Sequence, residues 1–227
     1  MRRPRVLTNF AMTADGKVST RNYTPSGFTS ERDKRRLLEI RSLGDALLVA
    51  RGTAEADNMS MTIPEESLRA ERVKRGQAEQ PIRVLVSNSG EISATLKVFT
   101  NQAAPTLIYA TERMPAEVRN ALQAVASVHL FPEKSVPLVR MLGELRKKHQ
   151  VRIVVCEGGP TLVKSLLAED LVDEMFVTIA PQIFGGKDAP TMTGTPGSFL
   201  PKARHFRLKD FFVENNEAFC HYIRRNS

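Results

Sequence analysis

Residues 157–161, Glu157-Gly158-Gly159-Pro160-Thr161, lie between an apolar stretch at 152–156 and a helical pattern that begins at Pro160. Glycines let a phosphate approach the backbone closely. The free N–H groups and positive dipole end of the following helix then bind it. A plain left-handed turn between strand and helix explains a bare Gly-Gly equally well. Glu157 falls at the C-terminal end of its strand, where open α/β sheets place ligands. Its position also suits an exposed carboxylate. Arg51-Gly52-Thr53, with Asp57-Asn58 after it, follows the apolar stretch 46–50. It offers backbone donors, a hydroxyl and a carboxylate at one strand end, or a turn capped by Thr or Asp. Asn9 is a polar residue inside an apolar strand and wants a buried partner or a ligand. Asp15-Gly16-Lys17 reads as the turn that follows.

Other chemistries lack their residues. No G-x-G-x-x-G or G-x-x-x-x-G-K-[ST] pattern occurs, so the dinucleotide fingerprint and the P-loop are missing. The four His are dispersed, with no metal-ligand spacing and no zinc-deaminase signature. Two Cys, 156 and 220, build no disulfide framework and point to a reducing, cytoplasmic setting. No apolar run approaches the roughly 18 residues of a membrane span. Thr8 and Asn9 interrupt any signal-peptide core.

Lys and Arg number 33 against 25 Asp and Glu, a net charge of +8 over 227 residues. The excess is scattered. Arg69, Arg72, Lys74 and Arg75 interleave with Glu65, Glu66 and Glu71, and Glu65–Arg69 and Glu71–Arg75 have the i,i+4 spacing of a solvated helix face. Arg146, Lys147 and Lys148 end a helical stretch, where cations complement the dipole. There is no Trp and only 3 Tyr, little material for stacking bases. Nucleic acid is not the expected partner.

The elements that must position these residues alternate. Short β-branched runs at 5–10, 46–50, 82–86, 106–110, 128–131, 152–156 and 175–179 read as strands. Helical patterns fall between them. One opens on Ser30-Glu31-Arg32-Asp33 with capping-box spacing and carries Leu37, Leu38, Ile40 and Leu43. Others cover 114–126, the stretch after Pro137 (Leu138, Val139, Met141, Leu142, Leu145), and the stretch from Pro160 (Leu162, Val163, Leu166, Leu167). Residues 58–81 read as a polar loop insertion. Residues 204–213 and 218–225 alternate like two strands about Glu214-Asn215-Asn216-Glu217, a terminal antiparallel hairpin. The expectation is one α/β domain over 1–227, a mainly parallel sheet flanked by helices and closed by that hairpin.

Taken in order, the motifs resemble the riboflavin-biosynthesis pyrimidine reductases, a family with the dihydrofolate-reductase-like fold. Asn9-x-Ala11-x-Thr13-x-Asp15-Gly16-Lys17 looks like the family's N-terminal motif. Thr29-Ser30, Arg41 and Gly52-Thr53-x-x-x-Asp57 resemble its next blocks. Glu157-Gly158-Gly159-Pro160-Thr161-Leu162, Leu171-Val172-Asp173-Glu174 and residues 179–186 resemble its late ones. The free-standing archaeal and fungal form is closest in style, since no deaminase domain is attached. The run Asn58–Pro64 departs from the family pattern and replaces its basic substrate contact with Pro64.

The resemblance implies NADPH-dependent reduction (NADH being possible) of a ribosylaminopyrimidine 5′-phosphate to its ribitylamino form. The hydride would pass to C1′ of the open-chain imine, with no metal required. It implies Asp57 and Glu157 as catalytic residues. Asn9, Thr29, Arg41 and Glu157 would bind substrate, and Thr53, Asp57, Gly158, Gly159, Thr161 and Leu162 would bind cofactor. It implies a homodimer. Ser87, Ser89 and a nearby basic residue are candidates for holding the 2′-phosphate. Two other readings stay open. One is a paralogous reductase of the same fold acting on a pterin-like or other heterocyclic substrate. The other is a non-catalytic binding or nucleic-acid module, which needs a continuous basic face that the interleaved acids break.

Overall fold

The computed structural model describes residues 3–19, 28–194 and 199–225. The fold is α/β, with mainly parallel strands, flanking helices and a terminal antiparallel hairpin, as the sequence pattern predicts. The chain forms two compact units, one built on Arg41–Val155 and the other on Arg5–Ile40 with the chain from Cys156 onward.

In the first unit, β2 (Ala46–Ala50), β3 (Ile82–Ser87), β4 (Thr106–Thr111) and β5 (Ser127–Phe131) pair in parallel in the order β5-β4-β3-β2, with β6 (Ile153–Cys156) beside β2. Leu47, Leu48, Leu85, Ile108 and Tyr109 are fully buried, the continuous apolar signature of strands covered on both faces. Beyond the short α4 (Lys97–Thr100) and α5 (Ala116–Gln123), helix α6 (Leu138–Lys148) buries Leu138, Met141, Leu142 and Leu145, a 3.6-residue stripe. Val139 falls off that stripe and is exposed, against expectation.

The segment 58–81 is not a loop insertion. It holds α3 (Glu66–Lys74), and Met61 and Ile63 are fully buried. Its basic run is a solvated face at Lys74 and Arg75, which are exposed as expected, but not at Arg72. Arg72 is 0% exposed and donates to the carbonyls of Ser42 (3.0 Å), Gly44, Ala78 (3.0 Å) and Glu79 (3.1 Å). Through Nε and Nη1 its rigid fork reaches a set of helix-end and loop carbonyls that no lysine could serve at once. Arg69 turns from Glu65 to Glu79 (2.7 Å), while Arg75 keeps the expected Glu71 partner at 3.7 Å. Lys148 pairs with Glu144 on the exposed end of α6.

In the second unit, β1 (Arg5–Thr13) pairs in parallel with β7 (Glu174–Ala180). β7 then pairs antiparallel with β9 (Glu217–Arg224), and β9 with β8 (Phe206–Glu214). Asn215 and Asn216, at φ 51° and 63°, make the tight turn with both central residues left-handed that suits the twist of paired strands. Helix α7 (Pro160–Ala168) starts with Pro in its first turn and buries Leu162, Val163, Leu166 and Leu167, as expected.

Helix α1 (Glu31–Leu43) departs from its apolar pattern. Its most buried side chains include Arg36, Ile40 and Arg41, while Leu37 and Leu38 are half-buried and Leu43 is exposed. Arg36 lies 5.0 Å from the Phe219 ring centre and 5.3 Å from that of Phe212, and donates to the carbonyl of Cys220 at 3.2 Å. Cations over aromatic faces replace the leucines as the contact.

Candidate active site

Within the second unit, the 157–162 loop has the form of a phosphate cradle. Gly158 adopts φ 116°, a conformation closed to side-chain-bearing residues, and both glycines are buried. The Gly158–Gly159 peptide is cis. Gly159 caps α7 with no side chain, and the first intrahelical bond runs from Val163 N–H to the Gly159 carbonyl (3.1 Å). The N–H groups of Thr161 and Leu162 thus precede the helical ladder and are donors for an anion. Below them the Cys156 thiol donates to the Gly158 carbonyl at 3.8 Å. Burial pushes that thiol up to about 12, which makes it a buttress and not a nucleophile. Glu157 stands half-buried at the mouth of the loop and Thr161 is exposed there, while Leu162 is buried.

A second cluster gathers around Thr29. Ser30 accepts the Asp33 N–H at 3.2 Å and so caps α1, as the spacing predicts. The reciprocal half of the capping box is supplied from elsewhere. The Ser30 N–H and hydroxyl both donate to Glu217, the N–H at 2.8 Å, and Glu217 is only 3% exposed at the foot of the hairpin. Asp33 instead faces the hydroxyls of Thr178 and Thr29. Burial pushes its carboxyl up, those hydroxyls push it back down, and nearby Glu217 pushes it up again. Asn9 projects from the same face of β1 as Thr178 from β7, since Asn9 opposes Phe176 and Ala11 opposes Thr178 in register. Spacing could not find Asp33, Thr178 or Glu217 as neighbours of Thr29. Their one sequence signal was a carboxylate where a hairpin turn needs none.

The third grouping ties two motif loops together. Asp15 accepts the Thr13 hydroxyl (2.5 Å) and the N–H groups of Phe184 (3.2 Å) and Gly185 (2.8 Å). Those bonds, the Thr13 hydroxyl first, hold its carboxyl below the usual range. Ala14 N–H bonds the Gln182 carbonyl at 2.9 Å, and the Phe28 and Phe184 rings meet edge to face at 5.4 Å. Asp15 is therefore the latch of the 179–186 loop and more than a turn residue.

The first unit holds the remaining candidates. Thr53 sits half-buried in α2 (Arg51–Asp57), and Asp57 is its exposed last residue. Asn58 follows in a left-handed conformation and accepts Lys97 N–H at 3.0 Å. Arg41, 8% exposed, donates to the Thr62 carbonyl at 3.1 Å and lies 3.9 Å from the Met59 sulfur, so it braces the segment just after Asp57. Arg51 donates to the Glu91 carbonyl at 2.9 Å. Ser87 accepts Gly90 N–H at 2.9 Å and faces Ser89 at 3.4 Å. Asn88 takes the Thr111 hydroxyl (2.6 Å) and Val136 N–H (3.0 Å), which joins the loops at the C-terminal ends of the parallel strands.

No group of three or more His, Cys, Asp or Glu among the described residues is placed to hold a metal ion. Within the second unit, a glycine cradle at a helix start and clustered hydroxyls and carboxylates are features of a small-molecule site on an α/β scaffold. The fold is shared with a pyrimidine reductase-like protein from Corynebacterium diphtheriae. The TM-score is 0.85 over 99% of this chain and 93% of that one, at 20% identity. The chain belongs to the RibD C-terminal domain family, whose sequence profile matches residues 4–214. The 2,5-diamino-6-ribosylamino-4(3H)-pyrimidinone 5′-phosphate reductase of Archaeoglobus fulgidus is 35% identical, over 89% of this chain and 91% of that protein. The reductase of the same name from Methanothermobacter thermautotrophicus is 36% identical, over 97% and 98%.

Proposed function

We propose that this chain is an NADPH-dependent oxidoreductase of riboflavin biosynthesis. It reduces 2,5-diamino-6-ribosylamino-4(3H)-pyrimidinone 5′-phosphate to the ribitylamino form and works as one reductase domain. The observation that carries the reading is the near full-length similarity to two archaeal reductases of that name. The cradle at 158–162 fits a phosphate-bearing cofactor, because it presents backbone donors and no side chain to block them.

NADPH supplies the hydride. The chain's own residues do the rest. Gly158, Gly159, Thr161 and Leu162 hold cofactor phosphate, while Thr53 and Asp57 line its remainder. Asn9, Thr29 and Arg41 hold the pyrimidine phosphate, and Glu157 with Asp57 serves proton movement at the reacting centre. Rate then comes chiefly from holding donor and acceptor in line and excluding water. The chain works as a homodimer in this reading. Its support is the edge strand β8, which leaves Leu208, Phe211 and Val213 exposed. A cytoplasmic setting fits two free, buried cysteines and a described chain in which no helix is long and apolar enough to cross a membrane.

The test is NADPH oxidation with the diaminopyrimidinone substrate, its deaminated counterpart and NADH as comparisons. The expected result is turnover with NADPH and the diamino substrate. Cofactor binding without turnover on either pyrimidine would favour the paralogous reductase, for which exposed Pro64 in place of a basic contact is the supporting observation. Failure to bind either nicotinamide would sink both enzyme readings.

Glu217 gives a sharper check on the substrate side. It holds Ser30, next to Thr29, with charge-assisted bonds whose loss is worth about 1.5–3 kcal/mol each. Glu217→Ala is expected to raise KM for the pyrimidine phosphate roughly tenfold or more, with a smaller effect on KM for NADPH. Equal rises in both constants would count against Thr29 as a substrate contact.

A further inference from the structure

Arg83 lies near the N-terminal end of β3, away from the strand ends that carry the candidate site. It is 2% exposed. One terminal nitrogen, Nη2, donates to the Ala104 carbonyl. Its Nε and Nη1 have no hydrogen-bond partner, and no carboxylate pairs with it among the described residues. Burial alone pulls its pKa down, and no neighbouring charge opposes the shift. Thr106 on β4 is its direct register partner, so the two side chains project from the same face of the sheet. Thr106 is 5% exposed and its Oγ1 also lacks a partner. On the other flank the register partner is Leu47, fully buried and apolar.

A guanidinium stays charged in proteins. An isolated buried cation is among the most costly things a fold can contain, and the cost is met by a counter-charge. The unused groups here are two N–H donors and a hydroxyl that also donates. That donor set takes an anion and repels a cation. We propose that Arg83 and Thr106 form a buried binding site for a small inorganic anion of the halide class, which neutralises the guanidinium inside the first unit.

The proposal is independent of the catalytic reading and is tested without substrate. Thermal unfolding of the full chain in sodium chloride is compared with sodium gluconate at equal ionic strength, gluconate being too large to enter a buried site. Chloride is expected to raise Tm by about 2–4 °C, as a ligand that binds only the native state does. Arg83→Met is expected to hold its Tm in gluconate, because it removes an unpaired buried charge, and to lose the chloride response. Thr106→Val is expected to weaken that response. A crystal grown in sodium bromide is expected to show an anomalous peak within hydrogen-bonding distance of Arg83 Nε and Nη1. Equal Tm in the two salts, with water in place of bromide, overturns the proposal. So does a chloride response that survives Arg83→Met. Should that variant fail to fold, the bromide crystal and Thr106→Val decide.

Discussion

Glu157→Ala and Asp57→Ala are each expected to lose about 10²–10⁴-fold in kcat/KM, the usual contribution of a positioned acid or base, with Tm close to wild type. The two halves of that expectation come from different observations. Asp57 is an exposed helix-end residue and Glu157 a half-buried loop residue, so neither fills the core. Truncating either side chain therefore opens no cavity, and the stability cost is expected to stay small beside the loss of rate. Glu157 directly precedes the Gly158-Gly159 cradle, and Asp57 closes the helix that carries Thr53. In the proposed reaction, hydride delivery to an open-chain imine would be accompanied by a proton, which the Asp57 and Glu157 carboxylates would move. Steady-state kinetics beside a thermal melt separates the two effects. Wild-type rates in both variants would show that the assigned roles belong elsewhere.

Arg72→Met is expected to destabilise the first unit by about 1–3 kcal/mol, the cost of a buried carbonyl left without its donor. Four carbonyls converge on this one guanidinium. Ser42 retains a donor from Arg75 at 2.7 Å, but the bonds to Gly44, Ala78 and Glu79 go. The Gly44 carbonyl is buried, and left without a partner it costs about 1–3 kcal/mol, whereas Ala78 and Glu79 are exposed and water reaches their carbonyls. Arg72→Lys is expected to recover little, since an ammonium on a flexible stem does not span the set. Urea unfolding is the measurement. A loss under 1 kcal/mol would mean that water replaces these bonds at little cost.

Much of the scaffold was legible in order and type. Seven β-branched runs became strands, Pro160 opened its helix, and Asn215-Asn216 made the hairpin turn. Those features are local, since a strand's alternation or a helix's first proline acts within a few residues. Periodicity failed where a charged side chain was read as solvated. Arg72 shares a helix with exposed Lys74, and nothing in the run says which cation turns inward toward helix-end and loop carbonyls. The same blindness hid Arg36, whose partners are rings on the far hairpin.

The candidate site divides in the same way. The sequence alone determined the α/β class, the motif series that assigns the chain to the RibD C-terminal domain family, and the glycine loop at a helix start. Each is a short-range property of residue types in order. Tertiary structure decided what holds those motifs. Glu217 grips Ser30 across 187 positions, Asp15 latches the loop at 184–185, and Arg83 faces Thr106 with no carboxylate paired to it among the described residues. Burial and partnership depend on which strands and loops become neighbours, a long-range outcome of packing that spacing along the chain does not encode.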